Sequence, residues 1–123
     1  MASILFDPTM QGLAEAMTLH QRRHEILTSN LANVETPGFR ARELDFETAL
    51  KDAFVPSEQH PTSPIAEPHV VEDASAPMRA DGNSVDLDLQ MAKLSENGGR
   101  YVALAKLLGH RIALLRQAIE GTR

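Results

Sequence analysis

Apolar residues recur along this chain at helical rather than strand spacing, and most regularly between Asp86 and Glu120. Leu87, Met91, Leu94, Gly98, Tyr101, Ala105, Leu108, Ile112, Leu115 and Ile119 follow one another in alternating steps of four and three. An unbroken repeat of this kind holds one stripe along one side of a helix, which is the pattern of a coiled-coil seam. The spacing predicts a helix of roughly 50 Å. A rod of that length cannot sit at the centre of a compact globule of 123 residues, so it calls for partners along its length.

The same period appears near the start. Asp7-Pro8 reads as a helix beginning, with Asp capping free N–H groups and Pro at the first helical position. Leu13, Met17, His20, His24, Leu27 and Leu31 then repeat in steps of four and three, which predicts that the two helices pack along one another. A second stripe lies beside this one: Ala16, Leu19, Arg23, Ile26, Asn30 and Asn33. The C-terminal helix has its own second stripe of Leu104, Leu107, Leu114 and Ala118, interrupted by Arg111. A two-helix pair buries only the first stripes, so the second ones point to further neighbours by self-assembly or a partner.

Asn33 reads as the cap that ends the first helix, since Pro37 cannot continue it. Thr36-Pro37-Gly38-Phe39 fits a type II turn, with Pro second and Gly supplying positive φ third. Residues 40–54 predict a short helix capped by Asp45, with Phe46, Leu50 and Ala53/Phe54 on its apolar face. From Val55 to Arg79 the periodicity disappears, and five of the seven prolines fall there. That composition predicts a flexible or extended connection. Asp81-Gly82-Asn83-Ser84 is a turn signal, and Asp86 caps the long helix. Gly98-Gly99 costs about 1 kcal/mol per glycine relative to Ala. It reads equally as a place for close helix approach or a bend and as a tolerated defect. The fold expected is all-α: long N- and C-terminal helices packing as a coiled-coil hairpin, joined by a short helix and a Pro-rich middle. The parts are 1–39, 40–85 and 86–123, together one discontinuous helical domain.

Composition narrows the chemistry. There is no Trp, one Tyr and four Phe, and the apolar content is mostly aliphatic, which suits helices. The net charge of −5 and the absence of any large Lys/Arg cluster argue against a nucleic-acid surface. Residues 34–86 hold eleven acidic and four basic side chains, and residues 87–123 three acidic and six basic ones. Without cysteine there are no disulfides or thiolate metal sites. No apolar run is long enough to span a membrane. The first residues lack the basic start and long apolar core of a secretory signal, which predicts a cytoplasmic protein or export by a route that needs no such signal. His20 and His24 have a spacing able to hold a metal, but they lack the Glu of an HExxH arrangement and lie on the core stripe, where helix packing is the expected role. Neither a phosphate-binding Gly-rich loop nor a nucleophile elbow is present. No catalytic, cofactor-binding or metal residue is expected.

Ser29-Asn30-Leu31-Ala32-Asn33-Val34-Glu35-Thr36-Pro37-Gly38-Phe39 resembles the N-terminal signature of bacterial flagellar rod and hook proteins. Asp81-Gly82-Asn83-Ser84-Val85-Asp86-Leu87-Asp88, Gln90 to Leu94, Glu96-Asn97 and Arg100-Tyr101 are most similar to the basal-body rod proteins of the B type, as are Leu44-Asp45-Phe46-Glu47 and the chain length. The resemblance covers both ends and the turn after the first helix, not the Pro-rich middle. Gln90, where the family often has Glu, and Gly98-Gly99 depart from its pattern.

The resemblance implies a non-catalytic subunit of the proximal flagellar rod, whose terminal helices form the inner coiled-coil layer of a tube. It implies export by the flagellar type III machinery without a cleaved signal, a place in the periplasmic rod, self-association, and contacts with other rod proteins and the ring/export-gate adaptor. Asn30, Ala32, Asn33, Thr36, Pro37, Gly38 and Phe39 are expected to set the chain's exit from that layer. Leu13, Met17, Leu27, Leu31, Leu87, Met91, Leu94, Tyr101, Leu108, Ile112, Leu115 and Ile119 are expected to form the helix-packing interface. Ile4-Leu5-Phe6 reads either as an export signal or as a terminal hydrophobic anchor. A cytoplasmic helical adaptor or export chaperone is the alternative, and a His-based metalloenzyme a distant third.

Overall fold

The computed structural model describes residues 7–54 and 69–121. Ile4-Leu5-Phe6 and most of the Pro-rich stretch therefore lie outside the described residues. The elements in chain order are α1 (Pro8–Ala32), β1 (Arg42–Leu44), α2 (Phe46–Ala53), β2 (Val70–Glu72) and α3 (Leu87–Glu120). Each helix begins where its capping residue allows. Asp7 accepts from the Met10 amide at 2.7 Å, Asp45 from Thr48 at 3.3 Å and Asp86 from Leu89 at 2.9 Å. Pro8 occupies the first position of α1, and Asn33 caps its end.

The chain is mostly helical but not all-α. β1 and β2 form a two-stranded antiparallel ribbon, pairing Arg42 with Glu72, Glu43 with Val71 and Leu44 with Val70. Within residues 40–54 the expected short helix forms as α2 with Asp45 as its cap, and the residues before the cap are extended. Three-residue strands carry almost no periodic signal, and these partners are separated by the Pro-rich stretch. The other edge of β1 is finished by a side chain: Asn30 donates to the Arg42 carbonyl at 2.6 Å and accepts from its amide at 3.0 Å.

This connector covers the second stripe of α1. Leu19 and Ile26 of that stripe form the core with Leu44 and Ala49, and Phe46, Leu50, Ala53 and Val70 pack around them. The face expected to await an external neighbour is therefore filled from within the chain. Full burial of a side chain such as Leu19 is worth about 1.5–3 kcal/mol.

α1 and α3 lie side by side in opposite directions. Asn30 meets Gln90, His20 meets Asn97, and Asp7 meets Arg111. At 1.5 Å per residue, α3 runs roughly 13 Å past the level of Asp7. The apolar stripe of α3 is not centred on α1. Leu94, Leu108 and Leu115 are half-buried, but Leu87 (46% exposed), Met91 (55%), Tyr101 (37%), Ile112 (50%) and Ile119 (69%) are not covered. On α1, Leu27 is fully buried, whereas Leu13, Met17 and Leu31 are half-buried. Part of the reason is geometric: a strict seven-residue repeat drifts by about 20° per heptad around a straight α-helix, so the two ends of the stripe diverge from one shorter partner. Gln90 and Asn97 take the inward positions instead, both essentially inaccessible to solvent.

Candidate functional site at the junction of the terminal segments

The residues singled out after α1 gather at one end of the molecule, where residues 33–39 meet residues 79–86. The first segment folds as its composition dictates. Thr36 N–H donates to Asn33 O at 3.0 Å, and its hydroxyl to Asn33 Oδ1 at 3.1 Å. Phe39 N–H closes on Thr36 O at 3.2 Å, with Gly38 at φ +75°, as a type II turn requires. The second segment turns at Gly82, φ +82°, where Gly82 N–H reaches Arg79 O at 2.9 Å.

The two turns then lock. Gly38 N–H donates to Asp81 O at 2.9 Å, Ser84 N–H to Phe39 O at 3.0 Å, and Ala41 N–H to Ser84 Oγ at 2.9 Å. The glycines abut closely: a Cβ on Gly82 would lie 3.3 Å from Gly38 Cα. Asn83, fully buried, is the centre of the lock. Its Nδ2 lies 2.9, 3.2 and 2.8 Å from the carbonyl oxygens of Asn33, Val34 and Thr36, and its Oδ1 accepts from Val85 N–H at 2.7 Å. The Arg79 guanidinium also donates to Val34 O. The end of α1 and the start of α3 are thereby held as one unit, before either helix makes its lengthwise contacts.

Of the expected signature residues, Asn30 is buried against β1 and Gln90, Asn33 caps α1, and Phe39 is half-buried. Ala32, Thr36, Pro37 and Gly38 are exposed. In the sequence Asn83 stands out only as part of a turn signal and of the run that resembles the rod proteins. Its role depends on three carbonyls some fifty residues away, which no local spacing encodes.

Charge is organised around the connector. Arg23 of α1 grips Glu43 of β1 with bonds of 2.8 and 3.1 Å. Lys93 of α3 lies 2.6 Å from Asp73 and 3.3 Å from Glu43. Burial alone raises the Glu43 and Asp73 pKa values. Hydrogen bonds from Arg23 to Glu43, and from Lys93 and Ser75 to Asp73, outweigh it and hold both carboxyls below their ordinary range. At the far end Asp7 is also lowered, first by the Met10 amide and then by Arg111. The histidine pair divides: His20 is buried, with Nδ1 2.7 Å from Asn97 Oδ1 and its ring 4.4 Å from that of Phe46, while His24 is exposed.

The outer surface between α1 and α3 carries an open groove of about 400 Å³ lined by His20, His24, Gly98, Tyr101 and Val102 among others. No described atom outside the helix's own turns lies within 4 Å of where a Cβ on Gly98 or Gly99 would stand. Their lack of side chains thus answers to no contact within the described chain. No described helix is long and apolar enough to cross a membrane.

Comparison with known proteins places this geometry in context. Residues 10–40 match the family described as flagella basal body rod protein, a stretch that spans α1 and the signature turn. The chain is 32% identical over 130 residues to the flagellar basal body rod protein FlgB of Yersinia enterocolitica, covering 93% of this chain and 95% of that one. It is 29% identical to the FlgB of Salmonella typhimurium, covering 94% and 95%. The Bacillus subtilis FlgB is 25% identical, covering 95% and 97%.

Proposed function

Since this chain belongs to the flagellar basal body rod proteins of the FlgB type, we propose that it is a structural subunit of the proximal rod that assembles through its terminal helices. The observation that carries this reading is the face of α3 left open by α1. Leu87, Met91, Val102, Ile112 and Ile119 are exposed large apolar side chains on a helix whose repeat suits coiled-coil packing. Such a face favours burial against neighbouring helices. The 4–3 stripe would be completed as a coiled-coil layer by other subunits, with residues 1–39, 40–85 and 86–123 acting as one discontinuous helical domain.

In this reading the junction is a rigid corner. Asn83, Gly38 and Gly82 fix the angle at which α1 ends and α3 begins, so that both helices enter the assembly in one register. The partners are other rod proteins, further copies of this chain, and the ring/export-gate adaptor at the rod base. Delivery is by the flagellar type III export machinery, to the periplasmic rod and without a cleaved signal peptide.

Mass spectrometry of detergent-purified basal bodies, with imaging of a deletion strain, tests the reading. The expected result is that the polypeptide is present in basal bodies and that deletion leaves rings without rods. Normal rods in the deletion strain, with the polypeptide absent from purified basal bodies, overturn it.

A further inference from the structure

Lys93 stands where four segments meet. Its ammonium binds Asp73 after β2 at 2.6 Å, Ser75 Oγ at 3.2 Å and Glu43 of β1 at 3.3 Å. Glu43 in turn is gripped by Arg23 of α1. The side chains of Arg23, Glu43, Lys93 and Asp73 are only 8–17% exposed, and Glu96 of α3 adds its charge near Arg23. Charges this far from water are held in place by geometry, because losing one partner strands the others.

The same contact orients α3. Residues on a helix are separated by about 100° each, so Met91 and Val102 lie on the side of α3 opposite Lys93. With Lys93 held toward the connector, those two side chains point outward, and they are 55% and 50% exposed. The inward contacts alongside are polar as well, through Gln90 and Asn97. The rotational setting of α3 is therefore not the one its apolar stripe prefers. A roll of roughly 60° would centre that stripe on α1.

We propose that Lys93 is the positioning residue of an ionic latch. By holding Glu43 and Asp73 it fixes the rotation of α3, couples closure of the β1–β2 ribbon to docking of α3, and keeps the Met91/Val102 face turned outward.

The chain has no cysteine, so single reporters are available. Thiol alkylation of Met91→Cys, and separately of Val102→Cys, is measured on the isolated full chain in the native and Lys93→Met backgrounds, with hydrogen exchange alongside. The expected result in Lys93→Met is a marked fall in thiol reactivity at Met91→Cys, and a smaller fall at Val102→Cys, which the roll carries only to the flank of the packed face. Exchange should rise together, by at least about tenfold, over 70–76 and 87–97, while 26–32 is unchanged. Lys93→Arg should restore the native pattern, and Arg100→Met, which removes an exposed pair with Glu96, should leave it intact. Should Lys93→Met fail to fold, Asp73→Asn carries the same expectations. Unchanged labelling, or faster exchange confined to 70–76, overturns the latch. Because these measurements need no flagellum, their failure is separate from failure of the rod reading, which basal-body composition decides.

Discussion

Replacing Asn83 tests whether the junction is held by hydrogen bonds or merely by chain connectivity. In Asn83→Ala, the buried Val85 N–H loses its acceptor at 2.7 Å, and three carbonyl oxygens lose a shared donor. An orphaned buried amide costs about 1–3 kcal/mol, and each ordinary hydrogen bond is worth about 0.5–1.5 kcal/mol. The Nδ2 group has two hydrogens and its carbonyl partners lie at a partly solvated turn, so it is counted as one to two bonds. The expected loss is then about 2–4 kcal/mol. With a slope of about 2 kcal/mol per molar urea, the unfolding midpoint should fall by about 1–2 M. Asn83→Asp sharpens the test. It keeps an acceptor for Val85 but points a carboxylate at the carbonyl oxygens of Asn33, Val34 and Thr36. It should cost at least as much as Ala. Urea denaturation of the isolated chain, followed by circular dichroism, gives both values. If Asn83→Asp falls within about 0.5 kcal/mol of the native chain, the donor contacts contribute nothing and the argument for a rigid corner fails.

Gly38→Val places a β-branched residue at φ +75°, where the side chain is disfavoured by about 1–2 kcal/mol or more, and should leave expression intact while impairing rod assembly; swimming-ring diameter checks this, and normal motility contradicts it. Gly98→Ala fills space that no described atom occupies, so the isolated chain should gain about 1 kcal/mol, seen as a rise in melting temperature; incorporation into basal bodies should nevertheless drop if a neighbouring helix needs that approach. Glu43 and Asp73 have lower pKa values folded than unfolded. Their contribution to stability is therefore fully present above the ordinary carboxylate range and is lost as pH falls through the folded values. The urea midpoint should decline progressively from about pH 5 downward in the native chain, and less steeply in a Glu43→Gln, Asp73→Asn variant.

Much of the local structure was legible from residues alone, because its causes are local. Caps at Asp7, Asp45 and Asp86 sit where a short carboxylate can reach an amide three residues on. The type II turn needs Pro37 and Gly38 in sequence, and the period of the apolar residues requires helices. The likeness to rod proteins was carried by the same turn and by the start of α3. Three-dimensional contacts decided the rest. The β1–β2 ribbon depends on residues joined across the Pro-rich stretch, and strands of three residues have no period to read.

The rotation of α3 is the clearest division between the two. Its stripe from Leu87 to Ile119 specified a helix that needs partners and pointed to that stripe as the side facing α1, yet much of the stripe is exposed. Lys93, Gln90 and Asn97 decided which side faces α1, by meeting groups on the connector and α1 that lie far away in sequence. Gly12 makes the same point in miniature. Nothing marks it in the sequence, yet a Cβ there would fall 1.9 Å from the Phe54 ring, so the placement of that exposed ring against α1 depends on a missing side chain. Short-range chemistry determines which helices and turns form. Long-range polar pairing, costly to leave unsatisfied, determines how they are set against one another and which apolar face remains for assembly.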